Sequence, residues 1–237
     1  MYGSLFCRVY NEFGWNVYPE VFGEQLLRWL SGKNAPVKTA LDLGCGTGVL
    51  CQTLERSGID ARGVDLSEGM IAIARERAPS LRFDAADMVT YRPAARFDLV
   101  TCTGDALNHI FDRNDVRRVM ENVYEMLAPD GYFVFDLLGE QEIPDDEPFT
   151  LDYSDTVRAV FATTREPGDV IRLHIDVYEN GQFSFEENIL EKLHNVDDIR
   201  SLLTEVGFAI EQCGHRLLPE EGADAATWFF AARKENR

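Results

Sequence analysis

The sequence is short of positive charge. Its 237 residues carry 23 lysines and arginines against 41 aspartates and glutamates, a formal net charge of −18. A protein that binds a duplex needs a basic footprint to displace counterions from the phosphates. Nucleic acid is therefore not an expected partner, and neither is an anionic membrane surface. Long apolar runs are missing too: nothing approaches the roughly 18–20 residues that a membrane helix requires. The start of the chain lacks the basic stretch, apolar core and cleavage site of a secretory leader. Cys7, Cys45, Cys51, Cys102 and Cys213 are odd in number and without C-x-x-C spacing. They read as reduced thiols in a cytoplasmic protein, neither disulfides nor zinc ligands. No H-x-x-E-H cluster is present, so no metal is expected, and there is no internal repeat or low-complexity tract.

What remains is an ordinary globular composition, 45% apolar and 27% charged, in a chain long enough to bury a full core. It is organised around Ala40-Leu41-Asp42-Leu43-Gly44-Cys45-Gly46-Thr47-Gly48-Val49-Leu50. A short apolar strand runs into glycines at every second position, and Val49 to Leu54 then shows helical spacing. Glycine is required where the backbone takes positive φ or a ligand touches the main chain, and the amides of a helix start would face such a ligand. The spacing is G-x-G-x-G, whereas the dinucleotide fingerprint is G-x-G-x-x-G with a pyrophosphate on the helix. Asp42 would repel a pyrophosphate but would suit an ammonium or a sulfonium. A nicotinamide dehydrogenase is disfavoured by that spacing and by the lack of a Tyr-x-x-x-Lys. A second strand, Ala61 to Val64, ends on Asp65, where a carboxylate can accept bonds from both hydroxyls of a ribose. Ser67 can cap the helix Glu68 to Arg77.

Asp42-Leu43-Gly44-Cys45-Gly46-Thr47-Gly48 and Val64-Asp65-Leu66-Ser67 closely resemble the class I S-adenosylmethionine-dependent methyltransferases. Asp87-Met88, Phe97-Asp98-Leu99-Val100-Thr101 and Leu127-Ala128-Pro129-Asp130-Gly131-Tyr132-Phe133 continue the resemblance, which is strong from about residue 38 to 137. It implies a Rossmann-like α/β three-layer sandwich with a mostly parallel seven-stranded sheet in the order 3-2-1-4-5-7-6. It also implies S-adenosyl-L-methionine as cofactor, held at Asp42, Gly44, Cys45, Gly46, Gly48, Asp65, Leu66, Met70 and Thr103. Asp87 is expected at the adenine amino group and Met88 against the ring. In this family the N-terminal segment folds over the cofactor, so Tyr10 and Tyr18 are expected on the sulfonium side.

Outside the matched stretch, Tyr2, Phe6, Tyr10 and Phe13 are spaced to share one helix face, and Glu20 to Leu30 reads as a further helix. The alternation of strand and helix after Asp65 implies right-handed crossovers. Pro129-Asp130-Gly131 reads as a turn before the fifth strand, Tyr132 to Leu137. From Gly139 the rhythm breaks. An acid-rich connector (Glu140, Glu142, Asp145, Asp146, Glu147, Asp152, Asp155) leads to three alternating segments, Thr156–Arg165, Val170–Glu179 and Gln182–Leu193. Turns at Pro167-Gly168-Asp169 and Asn180-Gly181 join them. Residues 140–193 are thus expected as an inserted antiparallel β lid on a domain made of 1–139 and 194–237; the competing role for the insert is a homodimer interface.

The expected function is methyl transfer to a small-molecule acceptor, most simply an amine. The alternatives are O-methylation of a hydroxyl or carboxylate, and a non-catalytic S-adenosylmethionine-binding module. No Asn-Pro-Pro-Tyr type motif succeeds the fourth strand, which argues against adenine N6 or glutamine amides as acceptors. His109 lies in the loop beyond that strand, where ligands of open parallel sheets sit. An unperturbed imidazole can take a proton at neutral pH, so His109 is the first catalytic candidate and Tyr10 the second.

Overall fold

The computed structural model describes residues 2–33, 36–139, 147–218 and 227–235. In chain order it contains helices α1 (Ser4–Val9) and α2 (Val17–Ser31), strand β1 (Thr39–Leu43), helix α3 (Val49–Arg56), strand β2 (Asp60–Asp65) and helix α4 (Glu68–Arg77). Strands β3 (Arg82–Ala85) and β4 (Phe97–Cys102) come next, then a 3-10 turn over Ala106–His109, helix α5 (Arg113–Met126) and strand β5 (Leu127–Leu138). Strands β6 (Phe149–Asp152), β7 (Val157–Glu166), β8 (Val170–Glu179) and β9 (Gln182–Lys192) form a sheet of their own. Helix α6 (Val196–Val206) and strands β10 (Phe208–Gly214) and β11 (Thr227–Lys234) complete the chain.

Seven strands pair in the order β3-β2-β1-β4-β5-β11-β10, with β11 antiparallel to both neighbours. This is the 3-2-1-4-5-7-6 order expected from the sequence. Successive strand residues point to opposite faces, so the sheet feeds two cores. Leu41, Leu43, Phe133 and Phe135 face Val119, Val123, Leu202 and Leu203 of α5 and α6. Ala40, Leu99 and Val134 face Phe22, Leu26, Leu50, Leu54 and Ile71 of α2, α3 and α4. Each such large side chain contributes about 1.5–3 kcal/mol on burial.

Three local expectations are corrected. The N-terminal helix stops at Val9, yet the aromatic face persists: Phe6 lies 5.3 Å from Tyr2, 6.1 Å from Tyr10 and 6.0 Å from Phe13, ring centre to ring centre. Pro129-Asp130-Gly131 is no turn between elements. It lies inside β5, where Asp130 takes φ 61° beside a register shift opposite Phe97 and Leu99. Proline is tolerated at such an irregularity because no ladder bond is required of it there. The insert sheet has four strands: β6 arises within the stretch read as a connector and pairs Phe149 with Phe161. Of the acids assigned to that connector, Glu140, Glu142, Asp145 and Asp146 lie outside the described residues.

The second sheet and the N-terminal segment share a third core. Phe6, Val9 and Phe13 pack on Ala159, Phe161, Ile175, Val177, Phe185 and Ile189, and Phe13 stacks on Tyr153 with ring centres 4.2 Å apart. Asn108 fastens this sheet to the first. Its fully buried amide donates to the Lys192 carbonyl at 2.8 Å and the Leu138 carbonyl at 3.1 Å, and accepts from the Leu138 N–H at 3.0 Å.

Truncating Asn108 would leave three part-buried backbone groups without that partner; an unsatisfied group costs about 1–3 kcal/mol where water is fully excluded. Asn108→Ala should therefore lower stability by roughly 1–3 kcal/mol, read as a fall in the urea midpoint. A loss below about 0.5 kcal/mol, the scale of ordinary surface substitutions, would mean that water replaces the clamp without cost.

Candidate active site

The glycine loop is shaped by what surrounds it. Gly44, Gly46 and Gly48 all take positive φ, at 75°, 52° and 77°. A Cβ on Gly44 would meet the Ala106 Cβ at 2.6 Å, and one on Gly48 the Phe83 ring at 2.8 Å, so these two glycines permit close packing behind the loop. A Cβ on Gly46 would meet nothing within 4 Å. That is the open side, where a ligand can reach backbone.

Three carboxylates gather at the carboxyl ends of the strands. Asp65 accepts the Gly46 N–H at 2.9 Å and the Ser67 N–H at 2.8 Å; burial raises its pKa against those two bonds. Asp42 is buried beneath the loop, where Thr101 Oγ1 donates to it at 2.7 Å. Burial drives its pKa up to about 7, and the Thr101 bond opposes the rise. Asp136, near the end of β5, is fully buried and accepts from the Tyr18 hydroxyl, the Gly104 N–H at 3.1 Å and the Asp105 N–H at 3.0 Å. Its pKa is also raised by burial, against those three donors.

The N-terminal segment closes on this arrangement. Thr47 Oγ1 donates to Asn11 Oδ1 at 3.0 Å. The Cys7 thiol lies 3.5 Å from the Ser67 hydroxyl. Burial raises the Tyr10 hydroxyl, with Asp65 and Asp105 adding repulsion against its ionised form. Tyr2 is raised by burial too, and next by Tyr10 and Glu191. His109 stands at the edge: Nδ1 is 3.3 Å from the Leu190 carbonyl, Nε2 is 3.9 Å from Glu191 Oε1, and the ring meets Tyr2 edge-on at 5.8 Å. Burial lowers the His109 pKa, opposed by the Leu190 bond, so the imidazole is neutral at pH 7.

The residues singled out in the sequence thus divide. Tyr10, Gly44, Gly46, Gly48 and Asp65 converge on the loop, Met88 Cε lies 3.5 Å from where a Gly44 Cβ would stand, and Thr103 is buried at the end of β4. Tyr18 joins them through Asp136. His109 lies on the Tyr2 side of Tyr10. Asp87 is exposed and its Oδ1 accepts the Val89 N–H at 2.8 Å, while Leu66 is half exposed at the start of α4. Met70 is fully enclosed, and the Cys45 side chain is buried against Gly63, leaving Cys45 only its backbone to offer. Sequence reasoning passed over Asp136, Glu191 and Asn11. An acid interrupting the apolar run Tyr132 to Leu137 was a legible signal for Asp136; Glu191 and Asn11 depend on how distant segments meet.

Residues 40–131 match a family model described as a methyltransferase domain. A putative methyltransferase of Geobacillus sp. (strain WCH70) is 38% identical over 104 residues, 42% of this chain and 42% of its own length, so the chain spans less than half of that relative. Putative methyltransferase YqeM of Bacillus subtilis (strain 168) is 25% identical over 95% of this chain and 97% of its own. Among solved structures, an S-adenosylmethionine-dependent methyltransferase from Clostridium acetobutylicum superposes with a TM-score of 0.83 at 21% identity, covering 96% of this chain and 99% of its own. CalS10, an amino pentose methyltransferase from Micromonospora echinaspora, gives 0.78 at 23% identity over 99% and 98%. The fold is that of the class I S-adenosylmethionine-dependent methyltransferases.

The burial of Asp42 carries a pH signature. Its carboxyl is raised from 3.8 to about 7, so between those values the folded protein holds a proton that the unfolded chain has released. Stability from this group is full below about pH 4 and falls as pH rises to about 7, by up to about 4 kcal/mol. Asp42→Asn should flatten that decline in urea melts across pH 4–8. An unchanged slope would mean that Asp42 ionises at an ordinary pKa.

Proposed function

We propose that this chain, which has the class I S-adenosylmethionine-dependent methyltransferase fold, binds S-adenosylmethionine at its glycine loop and methylates an amino group of a small molecule. The observation that carries the choice of an amine is the charge of the cleft. Asp65, Asp105 and Glu191 surround Tyr2 and Tyr10. Among the described residues, no ion pair joins Asp65 or Glu191 to a lysine or arginine, and His109, 3.9 Å from Glu191, is neutral. Such a cleft favours a cationic or amine acceptor over a carboxylate.

In this reading Asp65 takes the ribose hydroxyls, Gly46 and Gly48 offer backbone, Asp87 faces the adenine amino group and Met88 packs on the ring. Thr103, Leu66 and the Cys45 backbone border the same donor. Asp42 and Met70 act from behind, one as a buried charge and one as packing. The rings of Tyr10 and Tyr18 lie on the sulfonium side, where a ring face attracts a cation by roughly 0.5–2 kcal/mol. When bound, the donor supplies a methyl group already activated by its positive sulfur. What is asked of the protein is alignment and exclusion of water, and alignment alone can contribute about 7–11 kcal/mol. The amine must also shed a proton. The neutral His109 imidazole can receive it, and general-base help of this kind is typically about 10²–10⁴-fold. The second sheet, with the N-terminal segment packed on it, acts as the lid.

A tritiated-methyl transfer screen against amines, phenols and carboxylates tests the reaction. Transfer to phenols or carboxylates alone would replace the amine, and tight donor binding without any transfer would reduce the chain to a binding module. Donor binding is tested by calorimetry. Hydrogen bonds to a charged group contribute about 1.5–3 kcal/mol, so Asp65→Ala should weaken S-adenosylmethionine by about tenfold or more. Equal affinity would remove the ribose assignment. Replacing residues 149–192 with a short Gly/Ser linker should abolish acceptor turnover; turnover left intact would refute the lid.

A further inference from the structure

Glu191 lies near the end of β9 with its side chain only 14% exposed, and the proposed transfer gives it no task. It faces His109 across 3.9 Å, from Oε1 to Nε2. That gap is too long for a direct hydrogen bond. The Leu190 carbonyl, 3.3 Å from His109 Nδ1, can only accept. It therefore selects the tautomer with the proton on Nδ1 and leaves a lone pair on Nε2. Two acceptors, an imidazole nitrogen and a carboxylate oxygen, then face one another at the cleft edge. The Tyr2 ring stands edge-on to the imidazole at 5.8 Å and fixes its plane.

We propose that His109 Nε2 and the Glu191 carboxylate form a two-point seat for the acceptor's amino group, each accepting one N–H of the same nitrogen. This deepens the amine reading and rests on it. A nitrogen placed at an ordinary ~2.8–2.9 Å from both atoms would see them at about 90°, close to the spread of two N–H bonds. A hydroxyl has one proton and can satisfy only one of the two, which leaves the other desolvated and unpaired. The seat is thus a device for choosing nitrogen over oxygen. Among the described residues, the other titratable side chains bearing on it are acids or phenols: Tyr2 and Tyr10 from the N-terminal segment, Asp65 from the end of β2 and Asp105 beside the 3-10 turn; the positive amino terminus of the chain adds to the lowering of His109. Burial lifts the Glu191 carboxyl to about 7, so a cationic amine arriving beside it would convert it to the carboxylate.

Two measurements on the full chain test the seat. In the first, ¹⁵N spectra of His109 in the free protein should show the neutral ring protonated on Nδ1; a ring protonated on Nε2 would overturn the proposal with no acceptor required. In the second, glucosamine and benzylamine serve as amine probes and catechol as the hydroxyl probe, each with S-adenosylmethionine. Loss of a bond to a charged group predicts that Glu191→Gln raises KM for a methylated amine about tenfold or more. Glu191→Asp should be partly restored, and the calorimetric donor Kd should stay the same in both. An amine that is methylated with unchanged KM in Glu191→Gln would sink the seat and leave the amine reading standing. Methylation of catechol alone would remove both.

Discussion

Negative charge held out of water is the constraint on which the rest of this structure depends. Asp42, Asp65 and Asp136 sit at the carboxyl ends of β1, β2 and β5, and burial raises all three. A buried carboxylate without donors is costly, and here each has been given them: Thr101 for Asp42, two loop amides for Asp65, and a phenol with two amides for Asp136. Those donors explain local features that would otherwise be odd. Asp105 tolerates φ 58° because the turn it makes aims two N–H groups at Asp136. Gly46 bends the loop so that its own amide reaches Asp65. The compensation is incomplete, since all three pKa values stay raised, and a cationic ligand would complete it. Binding of a sulfonium donor would then stabilise the fold and lower these pKa values together, because linkage runs in both directions.

A second dependence runs through the third core. The N-terminal segment has too few residues in α1 to hold its shape alone, since isolated helices below about 12–15 residues are marginal. It is held by Phe161, Ile175, Val177 and Ile189 of the second sheet, and by the Gly3 N–H donating to Glu187 at 3.0 Å. Asn11, Tyr10 and Tyr2 reach the glycine loop and His109 only from that position. The second sheet, proposed above as the lid, therefore also positions the segment that reaches the glycine loop. In the proposed arrangement, loosening the second sheet would loosen the N-terminal segment that packs on it.

The parallel sheet was legible because its signals are local. Leu41-Asp42-Leu43 before Gly44, Val64-Asp65 before Ser67, and a buried run ending at Cys102 each declare a strand and its succeeding turn within a few residues. The strand β6 was hidden because Phe149 to Asp152 is exposed throughout and owes its shape to pairing with β7. The irregular start of β5 was hidden because Pro-Asp-Gly is chemically a turn, and only the ladder to Tyr132 makes it strand. For the site, residues whose role is backbone geometry (Gly44, Gly46, Gly48) or a strand end (Asp65) could be read directly. Asp136 obeys the same rule as Asp65 and could have been read by it. Glu191 could not, since its proximity to His109 depends on Asn108 tying β9 to β5.

That last connection bears on how acceptor choice could change without disturbing the donor site. Asn108 and His109 are neighbours on one 3-10 turn: the first joins the two sheets, the second faces the cleft. Any shift of β9 along β5 moves the Leu190 carbonyl and Glu191 relative to the imidazole, altering its tautomer and the spacing of the two acceptors at once. The donor loop, built on β1, β2 and α3, shares none of those contacts. In the proposed arrangement a change at Glu191, which lies outside the core that holds the N-terminal segment, would retune which nucleophile is accepted while the glycine loop and Asp65 keep their geometry. The Glu191 half of the seat proposed above thus stands on a sheet that meets the rest of the protein through the Asn108 amide, the His109–Leu190 and Gly3–Glu187 contacts and an aromatic core.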